Sequence, residues 1–149
     1  MTRVCLVGTE DVDLRTELLS RDGSRRALTS YDMVSPWQNT VAVSTVSLGA
    51  AVSLLNDLDW YLIRFTRDAL VFEPSVPEPR WLSREVATEI RDQSVEPAET
   101  GDLVKIYGIQ EGRLVEPMYV QRVEDRVPTY DLRDVEDTLV VRITEAEFG

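Results

Sequence analysis

The hydrophobic period changes twice within residues 40–65, TVAVSTVSLGAAVSLLNDLDWYLIRF, and no other stretch restricts the fold as much. Val41, Val43 and Val46 form a β-branched run suited to a pleated backbone. Leu48, Ala51, Val52, Leu55 and Leu58 then fall on one face of a helix. Ser47 precedes that face, where its hydroxyl can accept from a free helix N–H. Asn56 and Asp57 are weak helix formers and mark the end. Residues 60–65 are apolar at nearly every position and predict a second strand. The stretch therefore reads as strand, helix, strand.

The residues before it extend the pattern. Residues 3–7 predict a buried strand, Gly8 and Thr9 a turn, and residues 11–21 a helix stopped by Asp22 and Gly23. Glu10, Asp11 and Asp13 crowd the start of that helix, where its dipole favours them. They argue against a phosphate cradle at Gly8, which also lacks further glycines or a lysine. Residues 25–33 form a weaker extended segment. The order β, α, β, β, α, β is the ferredoxin-like arrangement, with both helices on one face of the sheet. Residues 4–7 and 60–63 are apolar at both parities, as strands covered on both faces are. The second half of the chain, or a second copy, is then needed to cover the face the helices leave bare.

Pro74, Pro77 and Pro79 punctuate a stiff connection over residues 74–82. Ser83 is placed to cap a helix reaching residue 92. Strands follow over residues 103–109 and 113–123, flanking Gln110, Glu111 and Gly112, and a last one over 138–144. Pro117 points to an edge position or a bulge in the second of these. The class is α+β: a ferredoxin-like βαββαβ lobe over 1–73, the connection, and a helix plus antiparallel β lobe over 83–149, the lobes sharing one core.

Charge and missing residue types narrow the function. The chain carries 27 acidic and 16 basic residues, a formal net charge of −11, and Lys105 is its single lysine. Many carboxylates with almost no lysine suit molar salt, where the Debye length falls to ~3 Å and carboxylate repulsion is screened. The acidity disfavours nucleic acid and anionic membranes as partners. With no histidine, Ser-His-Asp and Cys-His systems and histidine-liganded metals are excluded. Cys5 is the single cysteine and lies in an apolar run, so it reads as a buried small hydrophobe. No apolar run reaches the ~18 residues that span a bilayer. MTRVCLV lacks the pattern of a signal peptide, so the expected location is the cytoplasm.

The candidate sites are few. Lys105 and Tyr107 share a face of one predicted strand, where a desolvated lysine could hold an anion or act as a base. Asp131, Asp134, Glu136 and Asp137 could meet a hard cation, but their spacing matches no metal loop and a solvated acidic loop is the preferred reading. Arg25 and Arg26, with Arg21, form the basic concentration, and Tyr31 and Trp37 lie just beyond. Arginines with aromatics can hold RNA or a phosphorylated ligand, whereas salt bridging is the plain alternative. Trp60 is expected in the main sheet, and Trp81 to pin the second half on the first.

The runs over 3–21 and 39–65, the segment LVEPMYV (114–120) and TYDLRDVEDTLVVRITEAEF (129–148) resemble a family of small acidic haloarchaeal proteins of unknown function. The resemblance implies high-salt habitat and brings no activity, cofactor or catalytic residue.

These readings favour a non-catalytic protein that binds a partner protein or a small ligand in an accessory or regulatory role, without a cofactor or metal; self-association as a homodimer fits too. Candidate binding residues are Lys105, Tyr107, Arg25, Arg26 and Trp37. RNA association through residues 21–26 is the alternative, and an enzyme using Lys105, Tyr107 or carboxylates is a further one.

Overall fold

A computed structural model describes residues 1–76, 80–121 and 137–148. Strand β1 (Thr2–Gly8) is followed by helices α1 (Leu14–Ser20) and α2 (Asp22–Leu28), strand β2 (Thr40–Thr45), helices α3 (Leu48–Asp57) and α4 (Asp59–Phe65), and strand β3 (Thr66–Phe72). β1 lies between β2 and β3 and is antiparallel to both. The α+β class holds, but the ferredoxin-like order of the first half is not the one found. Each connection carries a broken pair of helices, and two expected strands are helical.

The first of these is residues 25–33, where α2 occupies the start. Gly23 does not stop a helix; it lies in the first turn of α2. A Cβ there would stand 2.0 Å from the Tyr61 hydroxyl, so a side chain would displace the Tyr61 ring. The chain bends at Arg21, which is extended, and the buried Ser24 hydroxyl donates to the Leu18 carbonyl across the bend at 2.5 Å. Asp13 caps α1 by accepting from the Thr16 N–H at 3.1 Å.

The second is residues 60–65, expected as a strand and found as α4. Leu58 and Leu62 lie one helical turn apart and are buried, with Tyr61 and Phe65 packed beside them. Trp60 and Ile63 point outward, 47% and 71% exposed. A short apolar run does not distinguish a strand covered on both faces from a helix that leaves apolar groups in solvent. The Arg64 guanidinium lies 3.8 Å from the centroid of the Trp60 ring and shields part of it. Ser47 caps α3 as expected, accepting from the Ala50 N–H at 3.1 Å.

The second half continues the same sheet. β4 (Trp81–Ser83) pairs antiparallel with β3, and Ser83 caps α5 (Arg84–Arg91), accepting from the Val86 N–H at 3.2 Å. β5 (Leu103–Gln110) and β6 (Arg113–Leu114) form a hairpin through Glu111 and Gly112, both at positive φ (52° and 75°), as a tight right-twisted hairpin requires. Pro117 separates β6 from β7 (Met118–Gln121), and both pair with the same edge of β5. β8 (Asp137–Arg142) runs antiparallel to β5 and parallel to β4, giving the order β2-β1-β3-β4-β8-β5-β6 with β7 beside β5. The acidic cluster at 131, 134 and 136 falls outside the described residues.

Strand alternation sends residues to two cores. Val4, Leu6, Val41, Val43, Ala69 and Val71 meet the helices. Cys5, Val7, Ala42 and Leu70 point the other way and pack on Tyr107, Leu114, Leu139, Val141 and Ile143 from the second half. The sheet thus curls until β5 and β8 cover the face that the helices leave bare.

Candidate functional site

A β-bulge builds the most polar spot in this second core. Val7 pairs with Asp68, yet Gly8 pairs with Thr66, so Arg67 is an extra residue on β3. Alternation with Leu70 turns Asp68 toward the β5–β8 cover. Arg67 would by the same count face the helices. The bulge instead brings it to the Asp68 side, where its guanidinium lies 5.6 Å from the Tyr107 ring centroid and donates to the Leu114 carbonyl at 2.6 Å.

Lys105 and Tyr107 share a face of β5, as their spacing predicts, and both reach Asp68. The Tyr107 hydroxyl donates to Asp68 Oδ2 at 2.5 Å, and Lys105 Nζ forms an ion pair with the same oxygen. Asp68 Oδ1 accepts from the Ala69 N–H at 2.9 Å. Lys105 is only 8% exposed. Burial, reinforced by the Asp68 charge, pushes the Tyr107 hydroxyl well above the ordinary phenol range, so it acts as a neutral donor. The same two causes push the Cys5 thiol up to about 12, which leaves it inert, as its apolar surroundings suggested.

A cavity of about 300 Å³ opens beside Lys105, lined also by Arg67, Arg84, Glu85 and Glu147. The Glu147 carboxylate accepts from the Ser83 hydroxyl at 2.7 Å and from the Thr144 N–H at 2.9 Å. Burial first, then the Glu147 charge, raises the Glu85 carboxyl. Arg84 is held by Asp59 at 2.7 Å. Of the charged groups around Lys105, Asp68 and Arg84 are in ion pairs, while Glu85 faces the like charge of Glu147. As chemistry, the arrangement is a clasp between β3 and β5: a buried carboxylate that a lysine and a tyrosine both serve.

Trp37 lies elsewhere. Its loop is held by Thr40, whose Oγ1 accepts from the Trp37 N–H at 3.0 Å and donates to the Trp37 carbonyl at 2.6 Å. Gln38 ties the loop to the β5–β6 turn through its N–H to the Gly112 carbonyl (2.8 Å) and its side chain to the Glu111 carbonyl (2.9 Å). Trp37 meets Trp81 edge to face at 6.2 Å, and Trp81 meets Phe72 at 5.4 Å. The Arg3 guanidinium stacks over Phe72 (4.9 Å) and Trp81 (5.4 Å). Trp37 and Trp81, with Arg3, Tyr31 and Asp32, border a cavity of about 620 Å³ along β2.

Arg25 and Arg26 join neither site. Both lie exposed on α2, and Arg25 is paired with Asp22 at 2.7 Å. Trp60, expected in the sheet, stacks on α4 instead. The sequence reading missed Asp68, Arg3 and Arg67. For Asp68 the signal was there: a carboxylate at the parity of Leu70, at the start of an apolar run.

The sequence profile of the family of unknown function DUF5804 matches residues 2–109. The chain belongs to that family. The match spans Arg3, Trp37, Asp68, Lys105 and Tyr107 and stops before Arg113. No curated protein and no solved structure matches the chain. Among the described residues no helix is long and apolar enough to cross a membrane, and no cluster of metal-binding side chains occurs.

Proposed function

We propose that this DUF5804 protein is a non-catalytic binder of a small ligand, and that the ligand is a flat, largely apolar molecule held in the Trp37–Trp81 cavity. The observation that carries the reading is the cavity itself, about 620 Å³, with indole walls and the Arg3 guanidinium at its edge. Ligand cavities of ~300–1,000 Å³ with aromatic walls and few polar groups are the usual form of small-molecule sites. Ring stacking would supply affinity, and Arg3 and Asp32 orientation. The clasp at Asp68 supports the non-catalytic reading, because Lys105 and Tyr107 are both engaged by it. The net charge of −11 supports a setting of high salt, with the unfolding midpoint rising as KCl approaches molar concentration.

The test is tryptophan fluorescence in a Trp60→Phe background, which removes the exposed indole. Adenosine, flavin mononucleotide and indole acetate are titrated as flat probes. Saturable quenching that disappears in Trp37→Ala is expected. No quenching and no thermal shift with any of them would overturn the reading. RNA association is separated by substituting Arg25 and Arg26 together: retention on RNA that is lost in the double variant would favour it over a small ligand.

A further inference from the structure

A third cavity, of about 500 Å³, opens where the loop between β1 and α1 faces the β5–β6 hairpin. Arg15 from α1, Arg67 from the bulge and Arg113 from β6 all line it. Among the described residues none of the three is in an ion pair, as is also true of Arg3, Arg26 and Arg64, whereas Arg21, Arg25, Arg84 and Arg91 each hold a carboxylate; what sets these three apart is that they line one cavity. In a chain of net charge −11, three guanidiniums facing one cavity without a carboxylate partner run against the overall balance. Glu10 and Asp13 also face it. Asp13 caps α1 through one oxygen and keeps its charge, so Glu10 and Asp13 offset part, not all, of the three guanidiniums.

The floor is rigid. Asn39 sits in the left-handed region at φ 54°. Its Oδ1 accepts from the Leu14 N–H at 2.9 Å, and its Nδ2 donates to the Thr9 carbonyl at 2.8 Å. Gly8 donates its N–H to the Asn39 carbonyl at 2.9 Å, and a Cβ on Gly8 would come within 2.7 Å of Asn39 Nδ2. Only glycine admits this approach. Arg67 uses one of its five N–H donors on Leu114, so the others are available to the cavity. The residues near Gly8 argue against a phosphate cradle when read locally. The cations that reverse the balance come from α1, β3 and β6, which only the fold brings together.

We propose that this cavity is an anion site for a small oxyanion of two or more negative charges. A guanidinium presents paired N–H donors in a plane, matching two oxygens of a phosphate or carboxylate, and its charge persists at every physiological pH. The rigid floor lowers the cost of ordering the site on binding. The site is separate from the Trp37 cavity and stands or falls independently of it.

Calorimetric titration of the full chain with inorganic phosphate, pyrophosphate and succinate tests it. Saturable one-site binding of at least one probe is expected. Arg15→Ala and Arg113→Ala should each weaken it about tenfold, as loss of a charge-assisted pair does. Both residues are exposed, so the unfolding midpoint should hold. Glu10→Gln should tighten binding, which a merely structural role would not produce. Trp37→Ala should leave it unchanged. Preference for pyrophosphate assigns a phosphorylated ligand, and preference for succinate a carboxylated one. No saturable binding of any probe, or binding that survives the Arg15→Ala, Arg113→Ala double variant within about twofold, overturns the proposal.

Discussion

The two faces of the β1–β3 sheet are made by the same strands and have opposite characters. Against the helices lie Val4, Leu6, Val41, Val43, Ala69 and Val71, an apolar layer with no charged side chain among them. Against β5 and β8 lie Cys5, Val7, Ala42 and Leu70, and this layer ends in Asp68 with its lysine and tyrosine. Side chains from this second face line all three cavities described above. The cause lies in the covers. Helices bury their apolar stripe continuously, so the seam is dry. A strand cover meets the sheet through alternate residues and hairpin ends, which leaves room for polar groups and for cavities at its rim. Function in this fold is therefore to be sought on the strand-covered face.

The most sensitive probe of that contrast is Cys5, fully buried beneath the strand cover. With its thiol pushed up to about 12, alkylation at pH 8 should be at least about a thousandfold slower than in the unfolded chain. Rapid labelling of the folded protein by iodoacetamide would mean that β5 and β8 do not close that face.

Next comes the clasp. Asp68→Ala leaves Lys105 buried without its counter-ion and should cost about 3–5 kcal/mol in urea unfolding, whereas Asp68→Leu with Lys105→Met should recover most of the loss. If the single variant unfolds like the wild type, the polar layer does not hold the two parts together, and the site regains interest as chemistry.

On the other face the cost should be of a different kind. Leu55 is fully buried among the helices, and Leu55→Ala should cost about 2–5 kcal/mol through the cavity it leaves. Because no charge is involved, this loss should be nearly the same at low and high KCl, while that of Asp68→Ala should vary. Equal salt dependence would erase the distinction between the faces.

The smallest effect expected is at Glu85, beside the strand-covered rim. Its carboxyl is raised in the fold by burial and by Glu147, so the folded state binds this proton more tightly than the unfolded chain. The resulting stabilisation is complete below the ordinary carboxylate range and is lost as pH rises through the raised value. Glu85→Gln should match the wild type in acid and exceed it near neutral pH by a fraction of about 1 kcal/mol, the gap opening across that window. A gap that closes with rising pH would contradict the direction of the shift.

Much of the secondary structure could be read from local pattern. The β-branched run gives β2, which ends before the exposed Val46, and the period-3.6 face of α3 and its Ser47 cap appear where residues 47–58 place them. Residues 60–65 are a short apolar run, which carries no period long enough to distinguish strand from helix, and residues 25–33, RRALTSYDM, are mixed and carry no clear period of either kind. Tyr61 lies over Gly23, so α2 and α4 pack together through residues far apart in the chain. The expectation that something must cover the bare face rested on residues 4–7 and 60–63; the first stretch is a strand covered on both faces, while the second is helical and gave no valid support.

For the candidate site the division is similar. The i, i+2 spacing placed Lys105 and Tyr107 on one face of a strand, and the isolation of Lys105 in an arginine-rich chain drew notice to it. What they face was not legible. Asp68 reaches them because β3 and β5 lie on opposite layers of a curled sheet, and Arg67 turns inward because of a bulge that no spacing announces.

By itself the amino-acid order determined the chemistry on offer: no histidine, one inert thiol, one lysine, a large excess of carboxylates. It also determined the local elements whose period is long and unbroken. Only the tertiary structure decided which charges meet and which stay apart. Electrostatic and cavity-forming contacts depend on distances of a few ångströms between strands remote in sequence, and such distances are set by how the sheet curls, a property of the whole chain.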